Sequence, residues 1–76
     1  MSTKSSLQYE IQSLDKAIKS LDVEIGYVQS RLSYAKSQGQ TRATIEGWNN
    51  DLQNKKRQQE TYKSKRREYQ SKLRNL

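Results

Sequence analysis

The chain has no cysteine, no histidine and no proline, and only three of its 76 residues are glycine. Without cysteine there is no disulfide and no catalytic thiol. Without histidine there is no imidazole base, and with both missing a Cys/His zinc site is excluded. The redox compartment is therefore not written in the chain. Few glycines and no prolines leave little to break a helix, which suits long uninterrupted helices. No apolar run approaches membrane-spanning length, and the first residues lack the apolar core of a signal peptide. The expectation is a protein without a membrane span, cytoplasmic by default. Catalytic, metal and nucleotide motifs are missing as well. The acids read as exterior helix positions opposite lysines, with no concave pocket to shift their pKa. No enzyme activity, no cofactor, no metal and no small-molecule substrate are expected.

Hydrophobic residues make up 30% of the chain and charged residues another 30%. That balance suits disorder, but the apolar residues are regularly placed. Leu7, Ile11, Leu14, Ile18, Leu21, Ile25, Val28, Leu32 and Ala35 alternate spacings of four and three, with no charge among them. A repeat of 3.5 residues held this long is a coiled-coil seam. Ser5 and Gln8 fit a capping box that starts a first helix over about residues 6–38. Gly39 stands where a left-handed C-cap is wanted, and Thr41 can cap a second helix over about residues 42–75.

The second helix carries its own seam: Ile45, Trp48, Leu52, Lys55, Gln59, Tyr62, Arg66, Tyr69, Leu73 and Leu76. Folded back about residue 40, paired positions sum to 80. Leu32 then meets Trp48, Val28 meets Leu52, Leu21 meets Gln59 and Leu7 meets Leu73. The flanking positions give four opposite-charge pairs in that register: Glu10 with Lys72, Asp15 with Lys63, Asp22 with Lys56, and Arg31 with Asp51. Exposed pairs of this kind are worth about 0–1 kcal/mol each, so they specify orientation more than stability. The fold class expected is an all-α, two-helix antiparallel coiled-coil hairpin, with scope for further association into a helical oligomer. Each arm should measure roughly 50 Å at about 1.5 Å per residue. One pattern favours a competitor. Isoleucine at 11, 18 and 25 with leucine at 7, 14 and 21 is the preference of a parallel dimer of the first helix.

Charge is unevenly spread. Lys55 to Arg74 holds nine Lys or Arg and two acids, which accounts for the whole net charge of +7. One reading is a phosphate-tracking surface for RNA, DNA or anionic lipid, with outward-facing Arg57, Arg67 and Arg74 as the candidate phosphate contacts. The other is a solvated helix whose lysines answer the acids of the first. A second feature lies on the outer side of the first helix. Val23, Tyr27 and Tyr34 share one side, with Tyr9 and the small residues Gly26, Ser30 and Ser33 near them. These read either as a docking face for a protein partner or second copy, or as scattered surface aromatics. The leading function expected is a non-enzymatic interaction or assembly module, and the runner-up is an RNA- or DNA-binding hairpin using residues 55–74.

Three resemblances are architectural. Gly47-Trp48 near the turn resembles the small secreted helical hairpins with a Trp-x-Gly turn. The order here is reversed, and no C-terminal Tyr-x-x-x-Asp/Glu follows. A short basic hairpin also resembles plasmid-type RNA-binding hairpin dimers and the tRNA-gripping arm of seryl-tRNA synthetases, with which it shares no motif. None of these places the chain in a family.

Overall fold

Helix α1 spans Thr3–Ser37 and helix α2 spans Arg42–Arg74. They pack along each other as an antiparallel hairpin 56 Å long and 16 by 14 Å across. This computed structural model describes residues 3–76. Among the described residues there is no strand, and no helix is long and apolar enough to cross a membrane.

The turn follows from two residues. Gly39 adopts φ 63°, a conformation open to glycine because it has no Cβ to clash. Gln40 N–H then donates to Ala35 O at 3.0 Å and Gly39 N–H to Lys36 O at 3.2 Å. These bonds satisfy carbonyls that the end of α1 would otherwise leave open, the Schellman arrangement. Thr41 caps α2: its side chain accepts from Thr44 N–H at 3.3 Å. The other end departs from expectation. Helix α1 already runs at Thr3, so Ser5 lies within the helix and does not cap it. Nothing in Thr3-Lys4 is a breaker, and a modest capping signal does not stop a helix with none.

The hairpin forms within one chain, so the α1 seam is occupied by α2 and not by a parallel copy of α1. Seven of the nine α1 seam residues are buried, from Ile11 to Ala35. Leu7 and Ile18 are half-buried. Helix α2 contributes only two buried residues, Leu52 and Gln59. The densest packing is at the turn end, where Ile25, Val28, Leu32 and Leu52 form a cluster with Ile45 and Trp48 packed on it. Towards the termini, α2 covers the aliphatic seam with Lys55, Gln59, Tyr62, Arg66 and Tyr69. Gln59 is 7% exposed and its amide nitrogen donates twice. It donates to Ile18 O at 3.1 Å and to Asp22 Oδ1 at 2.6 Å.

The charged seam residues leave the seam while their stems stay in it. Arg66 Nε donates to Asp15 Oδ1. Lys55 Nζ reaches Glu24 at 3.6 Å across the hairpin and Asp51 at 3.2 Å on its own helix. Paired numbers thus sum to 81 and 79, around the expected 80. The four flanking pairs expected from the sequence do not close to ion-pair distance among the described residues. Asp15 takes Arg66, Asp22 takes Gln59, Lys72 takes Glu68 at 3.4 Å, and Arg31 turns to aromatic rings. The physical reason is reach. Several long cations lie within range of each acid, and differences of about 0–1 kcal/mol per exposed pair decide among them.

Candidate docking face

The outer face of α1 is built by helical period. At about 100° per residue, Val23, Tyr27 and Tyr34 fall within about 40° of one another, on the side opposite the seam. Burying the seam therefore forces them outward. They are 74%, 60% and 51% exposed, and Tyr9, about four turns towards the N-terminus from Val23, is 68% exposed. Large apolar surface left in water along one line is the informative feature here, more than any single residue.

Arg31 lies against this face. It is four residues from Tyr27 and three from Tyr34, the spacings at which helix side chains meet. Its guanidinium carbon lies 6.0 Å from the Tyr27 ring centroid and 5.9 Å from that of Tyr34. It also lies 5.8 Å from the Trp48 ring, which α2 brings up beside Leu32. Each such contact at an exposed site is worth about 0.5–1 kcal/mol. One cation therefore lies against three aromatics from both helices.

Next to it runs an open groove of about 480 Å³ lined by Val23, Glu24, Tyr27, Val28, Asp51 and Lys55. Its apolar wall comes from α1. Its rim is the Glu24–Lys55–Asp51 chain of ion pairs. The hydrogen bond that Lys55 donates to Asp51 holds its ammonium above the ordinary value of 10.5, burial pulls the other way, and the charges of Asp51 and Glu24 add to the rise. Lys55 stays charged at any ordinary pH, so the groove has a fixed electrostatic rim of two acids and one base.

The basic candidates are less gathered. Arg67 is engaged with Glu60 at 3.1 Å and Ser64 at 3.0 Å. The guanidinium groups of Arg57 and Arg74 have no hydrogen bond or ion pair among the described residues. Arg67 and Arg74 are one heptad apart, while Arg57 stands roughly 15 Å away along the axis, at about 1.5 Å per residue. The three are exposed along α2 and do not converge on one point. Among the described residues no group of acids is placed to hold a metal ion.

Two features of this region escaped the sequence reading: the role of Arg31 and the double reach of Lys55. The first had a signal, a guanidinium flanked by tyrosines at −4 and +3. The second did not, because the choice among Glu24, Asp51 and Asp22 depends on rotamers. Comparison of the chain with protein-family models, curated proteins and solved structures gives no match.

Proposed function

We propose that this chain is a non-enzymatic assembly module, a short coiled-coil hairpin that binds other proteins through the outer face of α1. The observation that carries this reading is the aromatic line opposite the seam. Val23, Tyr27 and Tyr34 lie outside the seam that holds the hairpin together, yet Arg31 lies against both tyrosine rings and a groove with charges of both signs borders the face. Buried aromatics surrounded by polar rims are what protein interfaces use as anchors. The hairpin is the support, with its two helices packed against each other on the side away from this face.

The test is capture from native, nuclease-treated extract by three forms of the tagged protein. A partner bound by the wild type and by Arg57→Gln/Arg67→Gln/Arg74→Gln, but lost with Val23→Ser/Tyr27→Ser/Tyr34→Ser, supports the reading. Equal capture by all three forms removes it.

The second reading, nucleic-acid binding by residues 55–74, is favoured by the unengaged guanidiniums of Arg57 and Arg74 on a strongly basic segment. About three phosphate contacts give a log–log salt slope of about −2 to −3. No affinity for RNA or DNA at low salt rejects it.

A further inference from the structure

The outer face of α1 matches itself. Val23, Tyr27, Ser30 and Tyr34 are spaced four, three and four, a short second seam facing away from the first. We infer that this chain forms a two-fold homodimer through that seam, α1 against α1 and antiparallel, with the axis crossing at the level between Val28 and Gln29. The inference rests on the docking-face reading above and names its occupant as a second copy.

In that register Val23 faces the partner's Tyr34 and Tyr27 faces the partner's Ser30. Each large ring meets a smaller side chain, and symmetry repeats both contacts. The flanks agree independently. On one side Glu24 faces the partner's Arg31, and Arg31 faces the partner's Glu24. The groove rim of Glu24, Asp51 and Lys55 carries a net single negative charge, which an incoming arginine neutralises. On the other side Gly26 faces the partner's Ser33, two small residues that let the backbones come close.

Gly26 is a separate observation. A Cβ added there meets nothing within 4 Å in the hairpin. Glycine weakens a helix interior, and the hairpin's own packing gives no reason to accept that. A second backbone approaching this side does. An isologous interface needs a patch complementary to itself, and here size, charge and backbone approach are all self-complementary about one axis.

The rest of the chain permits the arrangement. Residues 55–74 pack beside the N-terminal two-thirds of α1, so the two basic arms point in opposite directions from the axis. Arg66 to Arg74 lie roughly 20–35 Å from it at about 1.5 Å per residue, beyond the screening length of about 8 Å. The overlapping stretch of α1, residues 20–37, is about 27 Å long on a molecule 16 Å wide. A footprint of roughly 430 Å² is about half the standard interface of about 800 Å² per partner, so the dimer should be weak and readily reversible. A small chain without cysteine gains buried apolar area by such association.

The test is sedimentation equilibrium of the full chain from low-micromolar to sub-millimolar concentration. The wild type should pass from monomer to dimer. Glu24→Arg and Arg31→Glu should each be monomeric over that range, because each places two like-charged pairs across the axis. Mixed in equal amounts, they should restore a dimer, because every cross-pair is then opposite in sign. Gly26→Leu should raise the dissociation constant at least tenfold with helical content unchanged. A wild type that is monomeric throughout overturns the homodimer, and the capture experiment then decides separately whether the face binds another protein. Variants that dimerise like the wild type, or a mixture that stays monomeric, overturn this register.

Discussion

Leu52→Ala should remove a large share of the hairpin's stability. Leu52 is 6% exposed and is the one α2 side chain in the buried cluster with Ile25, Val28 and Leu32. Removing a buried leucine side chain costs about 2–5 kcal/mol, the upper part of that range applying where neighbours cannot collapse into the space. Two straight helices held apart by Ile45 and Trp48 on one side and Lys55 on the other have little freedom to close, so about 3 kcal/mol is reasonable. A chain of this size has about 4–11 kcal/mol of stability in total at about 0.05–0.15 kcal/mol per residue. The substitution therefore removes between a quarter and most of it. The thermal midpoint should fall by about 12–24 °C, at about 4–8 °C per kcal/mol. Urea and thermal melts followed by helical circular dichroism and Trp48 fluorescence, at one fixed protein concentration, read this directly. The control is Leu73→Ala at the half-buried terminal end, which should cost about 1 kcal/mol or less. If Leu73→Ala costs as much as Leu52→Ala, stability is not concentrated at the turn end and the reasoning fails.

Three further outcomes follow from single contacts. Gly47→Ala should stabilise the hairpin by about 1 kcal/mol, because helix propensity improves and a Cβ there meets nothing within 4 Å; urea midpoints measure it, and an unchanged or lower midpoint contradicts it. Gln59→Leu should leave the hairpin at least as stable, since Asp22 is exposed and returns to water while Ile18 O keeps its helical bond, whereas Gln59→Ala should cost about 1–2 kcal/mol; equal losses from both would show that the Gln59 hydrogen bonds, not the filled space, hold the layer. Because the folded-state pKa of Lys55 lies above its ordinary 10.5, the stabilisation from its ion pairs is full below that value and is lost as pH rises through the folded one. Midpoints of the wild type should therefore fall more steeply than those of Lys55→Met at pH above about 10.5, and parallel curves would refute the linkage.

The seam was legible because a 3.5-residue repeat puts its apolar residues on one helix face, and Gly39 and Thr41 were legible because their backbone chemistry is local. The register was legible in the same way, since only one alignment pairs the two seams throughout. The charge partners were not. Arg66 and Lys55 stand in the seam but reach the acids flanking their own layers, and Arg31 lies against three rings in place of Asp51. Such choices are made by rotamers over energies too small for a pattern to encode. The start of α1 was misplaced for a related reason: a cap signal marks where a helix can begin, not where it must. Of the candidate site, the exposure of Val23, Tyr27 and Tyr34 followed from the seam by geometry alone. Their contact with Arg31, and the groove beside them, needed α2 in place.

Every surface described depends on one chain folding back on itself in the register that sums to about 80. The most direct measurement introduces cysteines at Asp15 and Lys63, on opposite helices at matching levels, and treats the dilute protein with a short bismaleimide. The hairpin predicts crosslinking within a single chain, seen as a compact species of monomer mass. Crosslinks that form only between chains would contradict it and restore the parallel α1 dimer.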